Sequence, residues 1–205
     1  MQLPKLFSSK FLLWALLAFP AWPFVSEIVT PDRYYPEMMQ RSGLWSIQLL
    51  VFTLAITPVS KVLRPWSSSR PFGLWLLRNR RYFGLASAFY ALIHTLLYLR
   101  QVSYDWKLVW LEGLEWPFAT GWISLLMLVI VASVSNDTAI KKLGKHWKNL
   151  QRLSYLAVGL GFLHWILLDF FIHDPIQWII PLLVLKCLQF TFRYKVFNKS
   201  NKSSI

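Results

Sequence analysis

Residues 82–99 read YFGLASAFYALIHTLLYL, an apolar stretch with no charged side chain and a single histidine, His94. Arg80 and Arg81 precede this stretch, and Arg100 follows it. A helix of this length rises about 27 Å at about 1.5 Å per residue, close to the hydrocarbon thickness of a bilayer of about 30 Å. The stretch therefore predicts a membrane-spanning helix with an arginine at each end.

The composition of the whole chain agrees with a membrane protein. Of its 205 residues, 56% are hydrophobic and 15% are charged, whereas soluble domains have about 45–50% apolar and about 25% charged residues. High hydrophobicity excludes intrinsic disorder, and the single cysteine, Cys187, excludes a disulfide scaffold. We find no internal repeat, no glycine-rich phosphate loop and no soluble domain. The sequence therefore predicts an all-α membrane protein.

Six segments meet a spanning criterion of about 20 mostly apolar residues, which predicts a six-transmembrane helix bundle. The first segment resembles a secretory signal but is followed by no small-residue cleavage site, so we expect it to be a retained span. The predicted domains are a cytoplasmic N-terminus at 1–10, a six-span transmembrane domain at 11–192 and a cytoplasmic basic tail at 193–205. The spans are roughly Phe11 to Val29, Leu44 to Val62, Tyr82 to Leu99, Pro117 to Val134, Leu153 to Phe171 and Pro175 to Phe190.

The net charge of +13 is unevenly distributed among the loops. Lysine and arginine concentrate between spans two and three, between spans four and five, and after span six, while most acidic residues lie in the alternate loops. The positive-inside rule then places both termini in the cytoplasm. The charge therefore indicates orientation against anionic lipid headgroups, and nucleic-acid binding is not needed to explain it.

Two of the four histidines, His94 and His164, lie deep within predicted spans. Ionisable side chains are costly there and indicate a functional site. His94 lies 13 residues after Arg81, and His164 lies 12 residues after Arg152. At about 1.5 Å per residue, both imidazoles are roughly 18 to 20 Å from the cytoplasmic boundary. The two histidines therefore share one depth, in the outer half of the bilayer.

Two imidazoles at one depth suit a b-type haem, which takes one axial ligand on each side of its ring. Zinc needs three or four ligands, and no carboxylate or cysteine lies at that depth. Two other interpretations stay open. The histidines could form hydrogen bonds to neighbours such as Tyr90 or Ser87, or they could line a path for protons or ions.

Three blocks of the sequence resemble the MsrQ (YedZ) family of haem-binding membrane subunits, within the ferric-reductase-like transmembrane superfamily. Both the content of the blocks and the spacing between them agree, from about Gly43 to Lys195. The blocks are Leu54-Ala55-Ile56-Thr57-Pro58, Arg80-Arg81-Tyr82-Phe83-Gly84 to Leu92-Ile93-His94, and Lys142-Leu143-Gly144-Lys145-His146-Trp147 to Leu150, continued by Tyr155, His164 and Arg193-Tyr194-Lys195.

The resemblance implies an electron-transfer subunit of an oxidoreductase system in the bacterial inner membrane, rather than its catalytic subunit. Electrons would pass through haem b to a periplasmic molybdopterin-dependent methionine sulfoxide reductase. The donor would be the quinone pool or a cytoplasmic flavin reductase, with FMN as a further cofactor. The resemblance also implies that His94 and His164 are the axial ligands of the haem iron, and that Arg80 lies near a second, inner haem.

The chain departs from this family at Gln151, where relatives commonly carry a histidine. Because glutamine is a poor ligand for haem iron, we expect one haem and doubt a second. His146 would be a distant substitute, since its rise of about 27 Å from His164 puts it at or beyond the cytoplasmic boundary. Arg100, at the outer end of span three, could neutralise a haem propionate.

The cytoplasmic side carries a basic patch that could hold a flavin phosphate or attract an acidic reductase, although the same charges already explain topology. Arg78, Arg80, Arg81 and the segment 141–148 form this patch. Two alternative functions remain open. One is a stand-alone ferric or metal reductase that uses the same haem, and the other is a transporter or structural membrane protein without haem.

Overall fold

The computed structural model describes residues 10–29, 35–64, 69–168 and 175–187. Within these ranges the regular elements are helices and no strand occurs, which confirms the predicted all-α class. The helices are α1 (Lys10–Ala18), α2 (Trp22–Val29), α3 (Tyr35–Leu63), α4 (Arg70–Gln101), α5 (Trp106–Gly113), α6 (Trp116–Ser133), α7 (Asp137–Leu143), α8 (Lys145–Gln151), α9 (Leu153–Leu168) and α10 (Pro175–Cys187).

Four stretches of the described chain are long and apolar enough to cross a membrane, and they correspond to the first four predicted spans. The chain is therefore a multi-pass membrane protein. Within the first stretch, a 3-10 turn that contains Pro20 separates α1 from α2, because proline removes a backbone donor and clashes with the preceding helical turn. The four stretches are Lys10–Val29, Tyr35–Leu63, Arg70–Gln101 and Trp116–Ser133.

Helices α9 and α10 occupy the fifth and sixth predicted positions and are shorter than the other four stretches. α9 has 16 residues, and α10 is likewise an apolar helix below the spanning length. The predicted ends of these spans, at Phe171 and Phe190, lie outside the described residues, as does the basic tail at 193–205.

Two spanning helices begin earlier than hydropathy predicts. α3 begins at Tyr35 instead of Leu44, and α4 begins at Arg70 instead of Tyr82. Charged residues lower hydropathy at a membrane boundary, but they do not end a helix, since arginine is a strong helix former. The extension of α4 is fastened to α3 by the Ser60 hydroxyl, which donates to the Gly73 carbonyl at 2.9 Å.

The helices that carry the site form two antiparallel pairs. α3 packs most extensively against α4, and α6 against α9. In the α3/α4 pair, the hydroxyls of Ser46 and Ser87 each donate to the other residue's carbonyl, at 3.0 and 2.9 Å. In the α6/α9 pair, the Ser124 hydroxyl donates to the Ala157 carbonyl at 2.8 Å. Such bonds between small residues stabilise helix packing in membranes.

The pairs meet along an apolar core that includes Leu50, Leu54, Leu128, Ala157 and Phe162. This core fixes the position of α3 and α4 against α6 and α9. Side chains that these four helices direct inward therefore converge on a common interior.

The short helices at the ends of the bundle have defined starts. The Asp105 side chain accepts hydrogen bonds from two backbone N–H groups in the first turn of α5, and the Asn136 side chain accepts one from Ala139 in α7. Such caps satisfy backbone donors that have no partner within the helix. Gly144, with φ of 50° and ψ of −121°, separates α7 from α8 in a conformation that favours glycine.

Candidate functional site

His94 on α4 and His164 on α9 meet in the interior between the two helix pairs. Their ring centres are 6.3 Å apart, and the ring planes are inclined at 79°. Each helix pair therefore contributes one imidazole, and the structure brings together the two histidines that the sequence singles out.

Each of these rings has one nitrogen bonded to a backbone carbonyl of the partner helix. His94 Nδ1 lies 2.8 Å from the Met39 carbonyl oxygen, and His164 Nδ1 lies 2.6 Å from the Pro117 carbonyl oxygen. Because a carbonyl oxygen only accepts hydrogen bonds, Nδ1 is the protonated donor in both neutral rings. Nε2 therefore carries the lone pair in both, which is the arrangement of histidines that bind metals.

Two glycines allow the rings to lie directly against the neighbouring helices. A methyl group at Gly43 would lie 3.1 Å from both Nδ1 and Cε1 of His94. At Gly121 it would lie 2.7 Å from Nδ1 and 2.8 Å from Cε1 of His164. Since a side chain at either position would lie closer to an imidazole than ordinary van der Waals contact, these glycines set how closely the rings approach the backbone.

A cavity of about 530 Å³ surrounds the two imidazoles. This volume is within the range of about 300–1,000 Å³ that is typical of cofactor and ligand pockets. Its wall is mostly apolar, with Ile47, Leu50 and Leu128 toward the core. Polar groups lie toward the end of the bundle near α5, where the Tyr98 hydroxyl donates to the Glu112 carboxylate at 2.7 Å.

The residues present fit a metal with one imidazole on each side. Two imidazoles with metal–nitrogen bonds of about 2.0 Å have ring centres about 6 Å apart, and the observed separation is 6.3 Å. Rings that share one metal axis can rotate about it, so an angle of 79° is compatible with this geometry. Among the described residues, no three His, Cys, Asp or Glu side chains cluster closely enough to hold a metal ion.

Arg80 and Gln151 lie in a second cavity of about 330 Å³, at the end of the bundle near α8. Arg80 Nε donates to the Thr53 carbonyl at 3.1 Å. Gln151 Nε2 donates to the Ser135 hydroxyl at 3.1 Å and, more weakly, to the Val131 carbonyl at 3.4 Å. The amide nitrogen of Gln151 is thus used in holding α8 against α6.

Arginines give this second cavity a basic rim. Arg78 and Arg81 line it together with Arg80. Arg81 also forms an ion pair of 2.6 Å with Asp137 on α7. The hydrogen bond and the positive charge of Arg81 hold the pKa of the Asp137 carboxyl below its ordinary value.

The two other predicted residues lie apart from these sites. Arg100 is not among the residues that line the histidine cavity, whereas its neighbour Gln101 is. His146 is exposed on α8, and its neighbour Trp147 lines the second cavity instead.

Sequence reasoning missed the groups behind the histidines. These are the carbonyls of Met39 and Pro117 and the glycines at 43 and 121. A backbone carbonyl leaves no mark in the sequence. The glycines do, because an isolated glycine within a helix lowers its stability and often has a packing reason.

The family described as "Ferric reductase like transmembrane component" matches residues 42–162. That range includes His94, both glycines and the second cavity's Arg80 and Gln151, and it ends two residues before His164. No solved structure matches the chain.

Curated relatives match more than half of the chain. The protein named "Protein-methionine-sulfoxide reductase heme-binding subunit MsrQ" from Brucella anthropi is 35% identical over 127 residues, covering 61% of this chain and 54% of the relative. Proteins of the same name from Brucella ovis and Brucella suis are 34% identical over the same shares. The chain thus spans about half the length of the curated relatives it matches.

Proposed function

This chain belongs to the ferric reductase like transmembrane component family, and on that premise we propose that it is a membrane electron-transfer subunit with a haem b held between His94 and His164. The pair of adjacent imidazoles carries the proposal. In each ring a backbone carbonyl fixes Nδ1, which leaves the lone pair of Nε2 available to a metal. The name of the Brucella relatives, a heme-binding subunit, supports it.

A haem held by His94 and His164 would supply one-electron transfer, because both protein ligands would leave no position for a substrate. The residues of this chain hold and orient the group. Met39 and Pro117 fix the orientation of the imidazoles through their carbonyls, which is the usual role of outer partners of metal-bound histidine. The apolar wall excludes water and thereby influences the reduction potential.

We infer one haem for each chain. The second cavity presents Gln151, a neutral amide that already donates to Ser135 and Val131, where an axial imidazole would be needed. The residues there do not fit an iron with two strong nitrogen ligands. His146 is exposed on α8, which argues against it as a replacement ligand.

We propose the topology that the loop charges predict, with six spans in the region 11–192 and both termini in the cytoplasm. The membrane would be the bacterial inner membrane. The histidine cavity then lies nearer the periplasm, and the second cavity faces the cytoplasm. Arg100, at the periplasmic end of α4, would neutralise a haem propionate that extends beyond the cavity.

Electrons would enter on the cytoplasmic side, from quinol or from a cytoplasmic flavin reductase, and leave on the periplasmic side. The basic rim at Arg78, Arg80 and Arg81 suits the phosphate of FMN. The acceptor would be a periplasmic molybdopterin-dependent methionine sulfoxide reductase, in line with the name of the relatives. The alternative acceptor is ferric iron or another metal, which the family's description favours.

The haem assignment is tested by visible spectra of purified wild type, His94→Ala, His164→Ala and the matched control His146→Ala. We expect one haem per chain in wild type and in His146→Ala, and its loss in the other two variants. A wild-type protein without haem, or unchanged spectra in His94→Ala and His164→Ala, would end the haem hypothesis.

The acceptor is tested in proteoliposomes that contain the chemically reduced protein. Re-oxidation of the haem is followed after adding the molybdopterin reductase with an oxidised methionine substrate, or after adding a ferric chelate. Fast re-oxidation by the first addition alone supports the methionine sulfoxide pathway. Fast re-oxidation by the ferric chelate alone supports the metal reductase instead.

A further inference from the structure

The two helix pairs surround their histidines in the same way. α3 carries Ser42-Gly43 with Ser46 three residues beyond the glycine, and α6 carries Thr120-Gly121 with Ser124 at the same spacing. In each case the glycine lies against the imidazole of the partner helix. The sequence therefore contains a short repeat, a hydroxyl residue, glycine, two apolar residues and serine, which sequence reasoning overlooked.

The register of the two pairs is also the same. Ser46 donates to the carbonyl of Ser87, and Ser124 donates to the carbonyl of Ala157. Ser87 lies seven residues before His94, and Ala157 lies seven residues before His164. The two helix pairs therefore share one register relative to their histidines, although Ser42 Oγ also lies 3.4 Å from His94 Nδ1.

The hydroxyl residues share the carbonyls that hold the histidines. Ser42 Oγ donates to the Met39 carbonyl at 2.6 Å, and Thr120 Oγ1 donates to the Pro117 carbonyl at 2.8 Å. Both side chains are buried, with 0% and 5% exposure. Each carbonyl oxygen therefore accepts one hydrogen bond from a hydroxyl and one from a histidine Nδ1–H.

A hydroxyl bond to the backbone within a membrane helix is common and by itself carries no function. These two differ because the accepting carbonyl is also the partner of an imidazole. A carbonyl that accepts a second hydrogen bond offers less electron density to the first, and such effects are strong at low dielectric. The shared bond therefore weakens Nδ1–H···O and reduces the electron donation of the imidazole to a metal.

We propose that Ser42 and Thr120 are paired positioning residues which, through the Met39 and Pro117 carbonyls, raise the reduction potential of the group held between His94 and His164. The inference rests on the proposed function, because it requires a redox-active metal at Nε2. It assigns the same direction of influence to the two helix pairs, since the carbonyl behind each histidine is shared with a hydroxyl.

The test is a redox titration of Ser42→Ala, Thr120→Val and the double variant, in which the visible spectrum of the haem reports the oxidised fraction. At the potential where wild type is half oxidised, we expect each single variant to be more than half oxidised, and the double variant to be more oxidised still. Thr120→Ser keeps the hydroxyl and should titrate as wild type does.

Ser60→Ala is the matched control for the loss of a buried hydroxyl. Ser60 donates to the Gly73 carbonyl, away from the histidine cavity, so this variant should lose stability and keep the wild-type potential. An unchanged potential in Ser42→Ala and Thr120→Val overturns the inference. Helical Ser42→Ala protein that has lost its haem also overturns it, since the hydroxyl would then serve binding.

The failure of this inference is distinguishable from the failure of the proposed function. A wild-type protein without haem refutes both. A wild-type protein with one haem, whose potential does not respond to the hydroxyls, refutes only the role of Ser42 and Thr120.

Discussion

Replacing Gly121 with alanine tests whether contact between glycine and imidazole controls cofactor binding. The new methyl group would lie 2.7 Å from Nδ1 and 2.8 Å from Cε1 of His164, whereas non-bonded heavy atoms prefer about 3.5–4.0 Å. The ring must therefore retreat by about 0.7 Å or more, well beyond the tolerance of about 0.2 Å for metal–ligand distances. We expect Gly121→Ala to lose most of its haem.

Two other glycines provide a graded series in the same protein. At Gly43 the new methyl group would lie 3.1 Å from the His94 ring, so the required shift is about half as large. At Gly159, on α9, it would meet no atom within 4 Å. Because alanine favours a helix over glycine by about 1 kcal/mol at all three positions, intrinsic helix stability cannot explain any loss of haem.

The assay is haem per polypeptide in purified protein, with circular dichroism as a check of helix content. We expect wild type and Gly159→Ala to bind equally, Gly43→Ala to bind less and Gly121→Ala to bind least, all with similar helicity. Full haem content in Gly121→Ala, or equal losses in Gly121→Ala and Gly159→Ala, would refute the steric reasoning.

Three predictions concern the frame around the site. Gly144→Ala should lower stability by about 1–3 kcal/mol, because any residue other than glycine is strained in the backbone conformation of this position. Equal thermal unfolding of variant and wild type in detergent would contradict this. Ser46→Ala should cost about 0.5–1.5 kcal/mol by removing its hydroxyl bond to the Ser87 carbonyl, and an unchanged melting temperature would argue against it. The depressed pKa of Asp137 makes its pairing with Arg81 stabilising above the unfolded carboxyl pKa of about 3.9, with the benefit lost as pH falls through the lower folded value. Melting temperatures of wild type and Asp137→Asn should accordingly converge in acid, and a constant difference across pH would contradict that pairing.

The helical class and the two histidines could be predicted from sequence because each leaves a strong mark. Long apolar runs between basic loops indicate spans, and a histidine within such a run is exceptional. Counting from Arg81 and Arg152 to the histidines gave equal depths, because the rise of a helix per residue is constant. The 6.3 Å separation of the rings agrees with that count.

Features that depend on helix phase and backbone groups could not be predicted in the same way. Tyr98 and Gln101 line the cavity and Arg100 does not, because neighbouring residues point about 100° apart around a helix; a role for Arg100 at a haem propionate stays a prediction. The early start of α4 at Arg70 was missed because hydropathy reports the bilayer boundary and not the end of the helix. The carbonyls of Met39 and Pro117 have no residue-specific signature.

The arrangement in two helix pairs has a consequence for assembly. Each pair packs mainly within itself and holds one imidazole with its supporting carbonyl, while a shared apolar core joins the two pairs. The histidine cavity lies between the two pairs, which contact each other less than the helices within each pair do. A cofactor that bridges the histidines would link the two helix pairs. Without it, the contact between the pairs should be lost before either pair unfolds.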